Sequence, residues 1–325
     1  MSLLSEIAAG LKQSERIALV THKDPDPDAI GSILGLGLAL RSLAKSVAIL
    51  NDDAVPADLA GLPGADTFVK ALPDGFSAEV VVSLDASDLE RLGKVAQPLF
   101  DAGVPIYNID HHITNLKFGT LNLIDPKAAS TAEMLPPLID ALGAALDQDV
   151  ASCLLAGVVG DTRRFSTGAV TANSLAVASR LVDAGADIRS ISEAIFERRD
   201  YSTLRLWGLA LSNARLEKGL IWTAVSTEER RQKGLNGVGA TGMSNLLLTA
   251  REANISAVLI ERDDGVVRLS MRARPGFDVA EVALALGGGG HPLAAGANLP
   301  GPLDEVVRQV VTKLKRLARK QRKNH

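Results

Sequence analysis

Over the first half of this chain, short apolar runs alternate with longer stretches of helical periodicity, and that alternation constrains the fold more than any other feature. The runs are IALVT (17–21), SVAIL (46–50), DTFV (66–69), EVVVSL (79–84) and VPIYNI (104–109). They are too short for helices, and most are apolar continuously rather than at every second residue. Runs of that kind suit parallel strands buried on both faces. The helix-like stretch at 29–44 supplies a crossover between the first two. The expected class is α/β, with an N-terminal doubly wound, mainly parallel sheet. In such sheets ligands bind beyond the carboxyl ends of the strands.

From about 129 to 160 the pattern turns helical, and another helix is expected at 171–184. The stretch 188–212 keeps helical periodicity, carries several charges and has no strand signal, so it reads as a linker. A smaller α/β unit follows, with LIWTAVS (220–226), SAVLIER (256–262), VVRLSMR (266–272), the glycine run GGGG (287–290) and a last helix. The expected division is therefore 1–187, 188–212 and 213–325, which 325 residues can accommodate.

Net charge is −3, which excludes a polycation and makes any nucleic-acid contact a local one. Aromatics are 3% of residues, too few for a long stacking platform. One cysteine, Cys153, allows no disulfide within the chain and fits a reducing compartment. The start, MSLLSEIAAGLKQSER, reads as an amphipathic helix rather than a signal peptide, and no run reaches 18 apolar residues. A cytoplasmic location without a membrane partner is expected. After Glu305 there are eight Lys or Arg and no acid, read as a solvated helix end.

Chemistry concentrates in four places, each read as the end of a strand. THKDPDPDAIGS (21–32) holds His22, Asp26 and Asp28; Asp85 follows EVVVSL; Asp110, His111 and His112 follow VPIYNI; Asp161 follows LLAGVVG (154–160). Each alone has a plain structural explanation: Asp28 could be a helix N-cap, and Asp85 or Asp161 a turn residue. Together at one sheet edge they are hard to explain as caps. Asp26, Asp28, Asp85 and Asp161 would repel one another in a partly dry cleft. Two divalent cations would neutralise them. Mixed carboxylate and imidazole donors suit Mn²⁺, with Mg²⁺, Co²⁺ or Fe²⁺ as competitors, and one thiol cannot make a zinc cage.

These motifs resemble the DHH phosphoesterase family. Asp110-His111-His112 matches its name-giving motif; His22, Asp26 and Asp28 match the first motif, VVSLDASDLERLG (81–93) the second and GVVGDTRRF (157–165) the fourth. SMRAR (270–274) and GGGGHPLAAG (287–296) are similar to the DHH-associated C-terminal domain. The resemblance implies that His22, Asp26 and Asp85 hold one metal. Asp28, Asp85, His111 and Asp161 would hold a second, with Asp85 bridging. Asp110 would orient a histidine, and His112 would face the scissile phosphate. A metal-activated hydroxide would attack. Gly288, Gly289, Gly290, His291 and Arg272 would grip the substrate across an interdomain cleft.

Two positions depart from the family pattern. Pro27 stands where glycine is usual, and Arg163 and Arg164 stand where small residues are common. GVGATG (237–242) fits a dinucleotide-binding spacing but follows TEERRQKGLN rather than a strand, so it carries little weight. The expected function is hydrolysis of very short 5′-phosphorylated oligonucleotides, dinucleotides above all, in the manner of a nano-RNase. The 3′-phosphate of 3′-phosphoadenosine 5′-phosphate is a further expected target, and a homodimer fits relatives. The alternatives are a cyclic- or linear-dinucleotide phosphodiesterase, an inorganic pyrophosphatase or polyphosphatase, and a catalytically silent nucleotide-binding module.

Overall fold

The computed structural model describes residues 2–321. The chain forms two compact units, Met1–Arg198 and Arg199–His325.

In the first unit six strands form one sheet: β1 (Arg16–Thr21), β2 (Ser46–Leu50), β3 (Phe68–Val69), β4 (Val80–Leu84), β5 (Ile106–Asp110) and β6 (Leu121–Ile124). Their order is β3-β2-β1-β4-β5-β6 and every neighbouring pair is parallel. Five of the six correspond to the apolar runs. β6 does not: its four residues, LNLI, form a half-buried edge strand and carry too little pattern to be seen in sequence. Strand order reverses between β1 and β4, so the crevice for a ligand opens beyond Thr21 and Leu84.

Among the described residues this unit has seven α-helices: α1 (Leu3–Gln13), α2 (Pro27–Ser42), α3 (Gln97–Asp101), α4 (Thr131–Leu142), α5 (Gln148–Asp161), α6 (Ala172–Asp183) and α7 (Ile188–Ser192). One face of the sheet carries a large core in which Ile17, Leu19 and Val82 meet α1, α2, α4 and α5. The other face is covered more thinly, by Leu92, Val95, Ala96 and Leu99 over Ala18, Val20 and Val81. α2 and α5 are buried nearly all round, which is why their apolar residues show no clean stripe. They cross closely because Gly31 lacks a side chain. A Cβ there would lie 2.4 Å from the Cys153 carbonyl oxygen. Cys153 is buried in that crossing, as an ordinary core residue.

The second unit contains α8 (Tyr201–Ser212), β7 (Arg215–Glu217), β8 (Leu220–Val225), α9 (Thr227–Gln232), α10 (Met243–Leu247), β9 (Ile255–Glu261), β10 (Val266–Ala273), α11 (Ala280–Leu284), β11 (Gly289–His291), β12 (Ala294–Pro300) and α12 (Leu303–Gln321). The sheet order is β11-β12-β10-β9-β8-β7, and only β8 and β9 run parallel. β10 alternates strictly. Val267, Leu269 and Met271 are buried with α11 and α12, while Arg268, Ser270 and Arg272 lie on the opposite face. α12 buries Val306, Val310, Leu314 and Leu317 along one stripe, leaving its basic residues on the other side. Of the eight basic residues after Glu305, Arg322 and Lys323 lie outside the described residues.

Candidate metal centre

α2 opens at the end of β1, and its first turn builds half of the site. Asp26 is the N-cap: its Oδ1 accepts from the amides of Asp28 (3.0 Å) and Ala29 (3.1 Å). The capping role that Asp28 could have had if taken alone belongs to Asp26. Pro27 occupies the first helical position, where its fixed φ is already right and its missing N–H costs nothing. That position explains how proline replaces glycine between two site aspartates.

Asp28 is wholly buried and reaches the start of another helix. Its Oδ2 accepts from the Thr131 amide at 2.6 Å and its Oδ1 from the Ala132 amide at 2.9 Å, at the positive end of α4. Asp85 follows β4 with a left-handed φ of 59°, a strained value for a residue with a side chain. Its Oδ1 accepts from the Thr131 hydroxyl at 3.1 Å. Asp161 is not at a strand end, as the sequence had suggested. It is the last residue of α5, because the apolar run before it is a buried helix rather than a strand. The helix end nevertheless delivers it to the same place: its Oδ2 lies 3.2 Å from His111 Nε2.

The two histidines show what this arrangement is suited to. His22 is buried, with Nδ1 2.8 Å from the Lys23 carbonyl oxygen. His111 Nδ1 lies 3.3 Å from the Ala128 carbonyl oxygen. A carbonyl can only accept, so each Nδ1 carries the proton, and a neutral ring then offers Nε2 as a lone pair. His22 Nε2 faces Asp85 Oδ2 at 3.6 Å and Asp26 Oδ1 at 3.8 Å. His111 Nε2 faces Asp85 Oδ1 at 3.6 Å, Asp28 Oδ2 at 3.9 Å and Asp161 Oδ2. Acceptor faces acceptor at both rings, so a proton or a cation has to lie between them. Two donor groups result, His22–Asp26–Asp85 and Asp28–His111–Asp161; a third, Asp85–His111–His112, takes Asp85 from one and His111 from the other.

Protonation follows the same charge balance. Burial, then the nearby Asp28, raises Asp85 and Asp161 well above the ordinary carboxylate value. Burial also raises Asp28. For His22 burial opposes the charged form, but Asp26 and Asp85 overcome it and push the ring up to about 10. His111 is raised against the same burial by Asp28 and Asp85. Away from this cluster, the buried Glu133 carboxylate accepts from the Ala129 amide, Ser174 Oγ and Asn173 Nδ2.

Asp110 and His112 form a separate pair. Asp110 is fully buried, and its Oδ1 accepts from the His111 amide (2.8 Å) and lies 2.7 Å from His112 Nδ1, while its Oδ2 accepts from Asn115 Nδ2 (2.6 Å). Burial works to raise this carboxyl, but His112 and Asn115 hold it below the ordinary range. Both Asp110 oxygens are thus engaged within the protein, one of them by His112. Thr131 and Asn115 escaped the sequence reading. Ser130 caps α4 and the pattern Ser130-x-x-Glu133 marks its start, so the placement of Thr131 at a helix N-terminus was readable. Nothing local marked Asn115.

Arg163, Arg164 and Phe165 form a left-handed turn with φ of 48°, 60° and 60°. Arg164 is engaged within this unit, 2.9 Å from Glu197 Oε1 and over the Phe196 ring.

In the second unit the glycine run forms the end of a hairpin rather than an irregular loop. Gly289, Gly290 and His291 pair with Gly296, Ala295 and Ala294. A Cβ at Gly288 would lie 2.1 Å from the Gly296 carbonyl oxygen, and one at Gly290 2.5 Å from that of Ala294. Two of the glycines therefore serve close approach to their own neighbouring strand. Gly287 and Gly289 face open space, Gly289 beside the exposed His291. Arg272, on β10, donates from Nη1 to the Met271 carbonyl at 2.9 Å.

Residues 16–158 match the DHH family N-terminal domain, and residues 219–320 match the DHHA1 domain. A Thermus thermophilus protein, the bifunctional oligoribonuclease and PAP phosphatase NrnA, is 34% identical over 96% of this chain and 92% of its own length. The chain belongs to the DHH family. A Bacillus subtilis DHH relative of the same name is 27% identical over 91% of this chain and 93% of its own. Among solved structures, an exopolyphosphatase-related protein from Bacteroides fragilis superposes with a TM-score of 0.91 at 25% identity, covering 98% of this DHH chain and 97% of that one. No helix among the described residues is long and apolar enough to cross a membrane.

Proposed function

We propose that this chain is a two-cation phosphoesterase that releases mononucleotides from 5′-phosphorylated dinucleotides and other very short oligonucleotides. It would also remove the 3′-phosphate of 3′-phosphoadenosine 5′-phosphate. The observation that carries the reading is the pair of imidazole Nε2 atoms facing Asp26, Asp28, Asp85 and Asp161, an arrangement that calls for cations. The substrate class rests on the Thermus and Bacillus relatives, which align over nearly the whole chain.

His22, Asp26 and Asp85 would hold one cation, and Asp28, Asp85, His111 and Asp161 the other. Oxygen and imidazole donors favour Mn²⁺, with Mg²⁺ and Co²⁺ as substitutes. Such a pair supplies Lewis acidity and lowers the pKa of water for in-line attack at phosphorus. The chain's own residues do the rest. Lys23 and Ala128 carbonyls fix the imidazole tautomers. Asp110 holds His112 by Nδ1, which would orient the ring toward a phosphate oxygen where negative charge builds. His291 and the glycine backbone at 288–290 would bind a phosphate or sugar of the substrate, with Arg272 adding a guanidinium. The reaction would take place in the cytoplasm.

The test is turnover with Mn²⁺ on a 5′-phosphorylated dinucleotide, a longer oligonucleotide, 3′-phosphoadenosine 5′-phosphate, a cyclic dinucleotide and pyrophosphate. Fast mononucleotide release from the dinucleotide is expected. Preference for the cyclic substrate or pyrophosphate would keep the centre and overturn the substrate.

A further inference from the structure

The second unit holds a cavity of about 620 Å³, a size that suits a small ligand. Its lining includes the whole of GVGATG (237–242), the segment whose glycine spacing carried little weight in sequence. The cavity lies on the face of the sheet that β10 turns away from α11 and α12, and three features give it a chemistry.

The first is cationic. Arg230, Arg262, Arg268 and Arg272 line the cavity against only Asp263 and Asp264, and Asp264 is already tied to Arg262 at 2.8 Å. Arg230 is 3% exposed, yet among the described residues no carboxylate pairs with it. Its Nε donates to the Leu235 carbonyl (3.4 Å) and its Nη1 to the Glu261 carbonyl (2.6 Å). A buried guanidinium held only by neutral acceptors retains its attraction for an anion. Arg268 is exposed and likewise has no carboxylate partner among the described residues.

The second is the loop itself. Glycines with φ of 70° and 84° bracket it at Gly237 and Gly242. Among the described residues, the amides of Gly239, Ala240 and Thr241 donate to no protein group. Consecutive unspent amides beside guanidinium groups are the usual means of holding a phosphate. The third is a mixed wall. Val238, Val258 and Ile260 supply apolar surface, and the hydroxyls of Ser244 and Ser270, 3.2 Å apart, supply hydrogen bonds. An inorganic anion would leave that wall unused, whereas a nucleoside fills it.

We propose that this cavity binds a nucleoside monophosphate unit, the phosphate between Arg230, Arg268 and the 239–241 amides, the nucleoside against Val238, Val258 and Ile260. The site belongs to the second unit and does not include the acidic cluster. The nucleotide is either the distal unit of an oligonucleotide substrate or a free mononucleotide that acts as an effector. The former rests on the hydrolytic reading above; the binding itself does not.

Calorimetric titration of adenosine 5′-monophosphate into the full chain with its metal tests it, with adenosine and inorganic phosphate as half-ligands. Arg268→Glu is expected to weaken binding by at least about tenfold. Thr241→Glu, which sets a carboxylate in the loop, is expected to do the same without touching the buried Arg230. Arg308→Glu, an equal charge change on α12, leaves affinity unchanged. Unaltered affinity in both cavity variants, or equal loss in Arg308→Glu, overturns the proposal. The two sources separate in dinucleotide turnover. Mononucleotide inhibition that raises KM and is relieved by Arg268→Glu marks the substrate's distal unit, and a change in kcat relieved by the same variant marks an effector. Inhibition indifferent to Arg268→Glu contradicts both.

Discussion

The two units use the same class of fold to opposite electrostatic ends. In the first, four carboxylates and two imidazole Nε2 atoms converge where strand order reverses, and several backbone amides around them are already engaged. Asp26 caps α2, Asp28 takes two amides of α4, and Asp110 takes the His111 amide. In the second, guanidinium groups and unspent amides lie along one face of a mixed sheet, where Arg230 has only carbonyl partners. A centre that collects negative charge needs cations, and a face that collects positive charge suits a phosphate. On the proposed reading the difference is a division of labour: the first unit would supply reactivity through its acidic and imidazole donors, and the second would supply grip through guanidinium groups and glycine backbone.

The largest effect should come from Asp85, the one carboxylate proposed to serve both cations. Asp85→Ala is expected to lower dinucleotide kcat at least about 10³-fold, an effect typical of lost electrostatic stabilisation, and to lower metal content measured by plasma mass spectrometry. Wild-type turnover would break the bridging assignment. A smaller loss should follow when only positioning is removed. Asp110→Asn keeps the shape but weakens the hold on His112, so kcat should fall about 10- to 100-fold with metal content intact. Loss of metal would place Asp110 among the donors instead.

On the other side of the comparison, His291→Ala should raise KM about tenfold with metal content unchanged. Lost metal in that variant would erase the division between reactivity and grip. Least of all should change at Cys153. Burial first, then Asp149 and Asp147, push its thiol up to about 12. At pH 8 it is a neutral thiol, so iodoacetamide should leave it unmodified in the native chain and label it in urea, read by intact mass. Rapid native labelling would show that the α2–α5 crossing opens.

What the sequence made legible follows from how local each signal is. The five clear parallel strands read directly because burial on both faces makes them apolar throughout, whereas β6, a half-buried edge of four residues, left no pattern. The site aspartates and histidines were legible because they follow strands in a fold whose ligand edge is known in advance. Asp161 was placed at the right site for the wrong reason, since a helix buried on all sides looks like a buried strand in composition. The N-cap exchange between Asp26 and Asp28 turned on where Pro27 fell, a matter of one residue. The glycine run concealed a hairpin, because glycine has no strand signature even where Gly288 and Gly290 are required by a neighbouring strand. Thr131 and Asn115 act on site residues 46 and 5 positions away in the chain, and only the fold brings Thr131 to Asp85.

The most direct test of the central claim is the stoichiometry of Mn²⁺ bound by the full chain, measured by equilibrium dialysis with plasma mass spectrometry on the wild type and Asp85→Ala. The account predicts two ions per chain in the wild type, with both weakened in the variant. One ion or none in the wild type, or two ions held equally well without Asp85, would contradict it.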